Sequence, residues 1–265
     1  MNTLLDLDAY PLDRPESAEY AALVAKCKAR LATEGMFDLP GFMRPDVTKA
    51  AADATKPAMA TESFRHARRH NIYFRDTVEG LSEDHPALAK VETINHTLCA
   101  DQLTGNPVIE LYDWPPFADF LAATMGKPAL YRMDDAMARV NVQASRDGEA
   151  LNWHFDRSEF TTTILLQSPQ IGGELEYRSD LRTADDPNYD GVAALLRGQD
   201  RQVKKVKLAT GALNVFRGVN TLHRVVQVKG PVERIVAIFS FYDRPGVTMT
   251  AKEQTGFYGR SVAAS

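Results

Sequence analysis

Asn152-Trp153-His154-Phe155-Asp156 is answered far downstream by Leu222-His223-Arg224 and then by Arg234. The combined pattern is His-x-Asp, His, Arg. Two imidazoles and one carboxylate form a facial donor set suited to non-haem Fe(II), and they leave coordination positions open for a chelating co-substrate and O2. An arginine placed shortly after the second histidine suits a two-pronged grip on the far carboxylate of 2-oxoglutarate, because the guanidinium fork matches carboxylate geometry. A lone His-x-Asp carries little weight. Taken singly, His154 reads equally as an interior histidine, Asp156 as a turn or cap residue, and His223 as a histidine at a strand end. The set gains force because each member lies in or beside a strand-like run. Catalytic zinc uses a similar donor set, but the chain has no His-Glu-x-x-His helix, which weakens a hydrolase reading.

The periodicity around these residues sets the fold expectation. After residue 130 the apolar period is two, predicting short strands at Ala138–Gln143, Thr161–Leu166, Leu175–Tyr177, Gln202–Lys207, Ala212–Phe216, His223–Val228 and Ile235–Tyr242. Arg146-Asp147-Gly148, Gly172-Gly173, Thr210-Gly211 and Gly230-Pro231 separate them as turns. One helical insert is predicted at about Tyr189–Arg197. Before residue 130 helical spacing dominates. Tyr20, Leu23, Val24, Cys27 and Leu31 form a stripe stopped by Gly35, and further helices are expected at Val47–Ala54, about Leu88–Leu103 and Phe117–Met125. Met36 to Phe42 reads as a short strand or extended entry. The expected class is mostly β with α (α+β), a double-stranded β-helix or cupin-like jelly roll braced by N-terminal helices. One domain over 1–265 is expected: a helical support region at 1–130, the jelly-roll core at 131–245 and a C-terminal tail at 246–265. His154 and Asp156, two apart, would point to one side, and His223 would face them across the barrel.

Composition narrows the function classes. An apolar fraction of 44 % and a charged fraction of 25 % suit a globular protein. A net charge of −4 gives no reason to expect nucleic-acid or anionic-membrane partners. The cluster Arg65-His66-Ala67-Arg68-Arg69-His70 reads as a solvated helix or loop face. Two cysteines, Cys27 and Cys99, argue against a disulfide framework and fit a reducing cytoplasm. The first residues lack the basic and apolar runs of a signal peptide.

The runs Asn214-Val215-Phe216-Arg217-Gly218, Leu222-His223-Arg224-Val225 and Arg234 to Phe241 resemble those of Fe(II)/2-oxoglutarate-dependent oxygenases. They are similar to the branch that holds bacterial free amino-acid radical halogenases and their hydroxylase relatives. Gly172-Gly173-Glu174-Leu175 is similar to a turn of prolyl-hydroxylase-like members. The resemblance covers Ala138 to Pro245, and it implies that His154, Asp156 and His223 are the iron ligands and that Arg234 binds 2-oxoglutarate. It also implies a supporting role for Asn141 at the co-substrate. Halogenases of this branch have Gly or Ala where this chain has Asp156, so the resemblance implies hydroxylation of a small free amino acid, lysine-like among the options, with O2 consumed. Arg75, Arg157 and Asp135 are candidate substrate anchors. A prolyl-type peptide hydroxylase and a catalytically inactive binding barrel are the alternatives. The expected partner is a small-molecule substrate, with no nucleic acid and no membrane, and with a homodimer left open.

Overall fold

The computed structural model describes residues 1–262. The last three residues of the expected tail lie outside them. In the N-terminal half, α1 (Ala18–Glu34) starts at Ser17, whose hydroxyl accepts from the Tyr20 N–H, and stops at Gly35, whose φ of 76° is the left-handed stop read from sequence. β1 (Met36–Leu39), α2 (Pro45–Thr61), β2 (Phe64–His70), β3 (Val91–Cys99), α3 (Pro107–Asp113) and α4 (Pro115–Met125) follow. The remainder is β-rich: β4 (Tyr131–Arg132), β5 (Val140–Ser145), β6 (Leu151–His154), β7 (Thr161–Gln167) and β8 (Leu175–Arg178) precede α5 (Tyr189–Leu196). Then come β9 (Lys204–Val206), β10 (Leu213–Phe216), β11 (Leu222–Val225), β12 (Arg234–Phe239), β13 (Phe241–Tyr242) and α6 (Ala251–Tyr258).

Two large antiparallel sheets and a two-stranded one, β13-β4, result. The major sheet has the order β1-β10-β7-β12-β5-β3-β2, and the minor sheet has the order β6-β11-β8-β9. Both match the expected jelly roll. Strand alternation gives the major sheet two unlike faces. Val140, Val142 and Ala144 of β5, Ile164 and Leu166 of β7, and Ile235, Ala237 and Phe239 of β12 turn to one face. There they pack with Leu31, Met59, Leu111, Phe117 and Phe120 from α1 to α4. Each such apolar side chain contributes about 1.5–3 kcal/mol by leaving water. The opposite face carries Asn141, Thr163, Arg234 and Phe216. Phe216 and Met36 on that face meet Leu175 and Tyr177 of the minor sheet.

Three expectations need correction. Leu88–Leu103 is not a helix: β3 fills its centre, flanked by single 3-10 turns at Pro86–Leu88 and Ala100–Gln102. Val91, Thr93, Ile94 and Thr97 are β-branched and pair with β2 and β5, which outweighs local helical spacing. The basic cluster is also a strand. It is β2, the outer strand of the major sheet, and its arginines are exposed. Finally, the N-terminal helices and the 189–197 insert are expected to roof the barrel mouth. The helices instead cover the back of the major sheet, and α5 packs with Trp153, Phe155 and Leu222 on the outer face of the minor sheet. No helix among the described residues is long and apolar enough to cross a membrane.

Candidate metal centre

His154 ends β6 and His223 lies in β11, where the two are direct cross-strand partners. Antiparallel partners project to the same face, and the imidazole centroids stand 4.2 Å apart. Asp156 follows just beyond β6. Its backbone N–H donates to the Gly218 carbonyl, at 3.1 Å, which turns the chain so that the carboxylate meets both rings. His154 Nε2 lies 3.3 Å from Asp156 Oδ1, and His223 Nε2 lies 3.5 Å from Oδ2. One ligand atom from each residue lies within 4.8 Å of the others. All three come together, but His223 stands beside His154 on the neighbouring strand of the same sheet and not across the barrel as expected.

The imidazoles are oriented by the backbone. His154 Nδ1 contacts the Asn152 carbonyl at 2.7 Å, and His223 Nδ1 contacts the Thr221 carbonyl at 3.0 Å. A carbonyl only accepts, so each Nδ1 carries the proton and each Nε2 presents a lone pair to the shared centre. Carbonyl-anchored imidazoles converging on one carboxylate are what a divalent metal requires. Thr161 donates its hydroxyl to Asp156 Oδ2, and Phe216 packs edge-on against the His223 ring at 4.7 Å. Sequence reasoning singled out neither residue, because neither is a metal donor.

Electrostatics fit a cation at this point. Burial opposes ionisation of Asp156, but His223, His154 and the Thr161 hydroxyl outweigh it and hold the carboxyl well below the ordinary range. Burial pushes His223 down to about 4, with Asp156 opposing and His154 reinforcing the shift. His154 is also disfavoured as a cation by burial, yet Asp156 and the Asn152 carbonyl raise it above the usual histidine value. Near neutral pH the carboxylate is therefore charged and His223 is neutral, the states a metal would need, while His154 would give up any proton it shares with Asp156 on metal binding.

Arg234 starts β12 on the inner face of the major sheet and is buried, with 8 % exposure. Its Nε donates to the Gly173 carbonyl at 3.2 Å, and among the described residues no carboxylate pairs with it. Burial alone lowers its pKa to about 10. A buried cation without a counter-charge is costly until an anion reaches it. The Gly172-Gly173 turn makes this position. A Cβ on Gly172 would fall 1.9 Å from the Gln227 carbonyl oxygen, and one on Gly173 would fall 2.6 Å from Pro169 Cγ.

Asn141 shares the inner face with Arg234, but its amide is largely engaged. Nδ2 donates to the Met137 and Val140 carbonyls, both at 3.1 Å, and Oδ1 accepts from the Tyr258 hydroxyl at 2.9 Å. Of the candidate anchors, Asp135 is buried and accepts from the Met137, Ala138 and Met249 N–H groups and from Gln254, so it serves structure. Arg157 is exposed and pairs with Glu253 at 3.5 Å. Arg75 caps no site ligand; its backbone N–H and carbonyl are held by Asn71. Arg224 turns away from the centre, as its strand parity predicts, and pairs with Glu176 at 2.7 Å. Trp153 fills the core under α5. A cavity of about 280 Å³ beyond it, lined by Ile72, Val91, Leu196 and Arg197 among others, contains none of the three donors.

Solved structures with this fold include the carbocyclase SnoK of nogalamycin biosynthesis, described as non-haem and α-ketoglutarate-dependent. It aligns with a TM-score of 0.57 at 14 % identity, covering 91 % of this chain and 93 % of its own. An oxidoreductase of the 2OG-Fe(II) oxygenase family from Burkholderia pseudomallei aligns at 0.51 and 15 % identity, covering 84 % of this chain and 92 % of its own. A prolyl-4-hydroxylase from Pseudomonas putida aligns at 0.50 and 15 % identity, covering 83 % and 99 %. No curated protein matches the sequence. The fold is that of the 2-oxoglutarate Fe(II) oxygenases, and the His-Asp-His cluster is a donor set that can take their iron. The sequence also matches the family described as Halogenase D over residues 20–256, and the chain belongs to that family.

Proposed function

We propose that the protein is an Fe(II)- and 2-oxoglutarate-dependent dioxygenase that hydroxylates an unactivated C–H bond of a small free amino acid. One oxygen atom of O2 would go to the substrate and the other to succinate, with CO2 released. The observation that carries this reading is Asp156, a carboxylate held between two imidazoles whose Nε2 atoms face it. With the carboxylate retained, no ligand position is freed for a halide, which supports hydroxylation within a family described by halogenation. When bound, iron with 2-oxoglutarate would supply the oxidising power for C–H cleavage. The chain's own part is orientation. Asn152 and Thr221 carbonyls aim the imidazoles, Thr161 and Gly218 fix the carboxylate, and the uncompensated Arg234 receives the far carboxylate of the co-substrate. Asn141 acts indirectly, by bracing the inner face through Tyr258. A cytoplasmic setting fits two buried, free cysteines.

Purified protein supplied with Fe(II), 2-oxoglutarate and O2 should release succinate in the presence of one or more free amino acids. Mass spectrometry should find one added oxygen, unchanged by added chloride. Turnover restricted to proline-containing peptides would favour the prolyl-hydroxylase-like alternative, to which the Pseudomonas putida likeness lends support. A chlorinated product would overturn the hydroxylase assignment, and a barrel that never consumes 2-oxoglutarate would be a binding module.

A further inference from the structure

Four arginines surround the loop that carries Gly218 and Thr221, and three of them are neutralised. Arg178 pairs with Asp200 at 3.0 Å, Arg217 with Asp180 at 3.5 Å, and Arg224 with Glu176 at 2.7 Å. Arg182 is the exception: among the described residues no carboxylate pairs with it, although it is partly buried. Its Nε donates to the Val219 carbonyl at 2.7 Å, and its guanidinium carbon lies 3.9 Å above the Phe155 ring. Both contacts come from residues next in sequence to those of the metal centre, although the Phe155 ring itself packs with Trp153 and Leu222 under α5. Phe155 lies between His154 and Asp156, and Val219 lies between the carbonyls that hold Asp156 and His223. Arg182 has its pKa lowered by burial, a shift that the negative charge of Asp156 opposes. It is therefore a cation fixed beside the donor cluster, with its two terminal nitrogens left without a protein acceptor among the described residues.

A fixed, partly buried guanidinium fork with no carboxylate partner among the described residues favours a planar anion. Arg234 is the corresponding group for the co-substrate, but it is anchored elsewhere, on Gly173 at the start of β12. We propose that Arg182 docks a carboxylate of the substrate beside the metal centre and so makes the enzyme selective for free acids over their neutral derivatives. The proposal rests on the oxygenase reading and adds the recognition chemistry. Stacking on Phe155 fixes the plane of the fork, the Val219 bond fixes its rotation, and the outward edge is left to the ligand. A substrate held there by its carboxylate would present its carbon chain along the centre. A peptide, whose internal residues lack a free carboxylate, would lose that contact.

The test is a binding measurement on protein loaded anaerobically with Fe(II) and 2-oxoglutarate, whose weak visible charge-transfer band responds when a ligand is seated. The probes are the common free amino acids and their matched primary amides. The parent should bind at least one acid about tenfold or more tightly than its amide, the gain expected for a charge-assisted pair. Arg182→Met keeps an apolar stem over Phe155 and should bring acid and amide to near-equal affinity while the band itself survives. Arg182→Lys should restore part of the preference. Equal weakening of acid and amide in Arg182→Met, an unchanged acid preference, or a parent that binds no probe although its band forms would each overturn the carboxylate assignment. A parent that gives no band with Fe(II) and 2-oxoglutarate would sink the oxygenase reading itself.

Discussion

Gly218 has space for a hydrogen and little more. A Cβ there would fall 2.5 Å from Thr161 Oγ1 and 2.8 Å from both Asp156 Cβ and Oδ2. Gly218→Ala should therefore push the carboxylate off the two imidazoles and weaken Fe(II) binding by about tenfold to a hundredfold, the usual cost of disturbing the groups that orient ligands. Anaerobic iron titration measures this; parent-like affinity would show that Asp156 does not need its present position. The His223→Ala variant removes a donor outright and should abolish the charge-transfer band. At Arg234 the relevant property is shape. Arg234→Lys keeps the charge but loses the fork, and 2-oxoglutarate affinity should fall by about tenfold or more. A co-substrate titration that matches the parent would point to a different anchor.

At the scale of elements, Asp135 and α6 make a separable unit. Thr250 and Glu253 form a reciprocal cap at the start of α6, and Asp135 accepts from Met249 and Gln254, tying the helix to the turn before β5. Burial opposes ionisation of Asp135, but its hydrogen bonds outweigh it and its pKa lies below the ordinary value. Because the folded pKa is depressed, the stabilisation is present above the unfolded value of about 3.9 and fades as pH falls through the lower folded value. Asp135→Asn should cost about 2 kcal/mol near neutral pH, and the gap between variant and parent should narrow below about pH 4. Chemical denaturation across that range tests the sign; a gap that widens in acid would contradict it. The strands β2 and β3 show the limit of local reading. Their side chains fit more than one period, and the pairing of β2 with β3 and of β3 with β5 settles the matter.

For the molecule as a whole, metal and chain should be thermodynamically linked. A ligand that binds only the folded state at a hundred times its Kd adds about 2.7 kcal/mol, so Fe(II) with 2-oxoglutarate should raise the parent's Tm and leave His223→Ala unmoved. Both cysteines are buried, and burial raises each thiol to about 12. Thiol reagents should accordingly label the native protein only as fast as it opens, and rapid labelling of either thiol under native conditions would contradict this packing.

Residue type and period alone indicated much of this protein. Most strands of the β-rich half were legible from short apolar runs bounded by turn glycines with positive φ, but β4 and β6, the strand that ends in His154, were not. His154, Asp156 and His223 were legible as a group that could hold a metal, and Arg234 as a candidate carboxylate anchor, because such chemistry accepts few side chains. What remained hidden depends on partners distant in sequence. The β2–β3 pair joins the major sheet only by pairing. The N-terminal helices back that sheet because its apolar face is there to be covered. The contacts of Thr161, Gly218, Phe216 and Arg182 arise solely from what the fold sets beside them. A donor is recognisable by its own atoms, whereas a positioning group is defined by the contact, and contacts exist only after the two sheets have closed over one another.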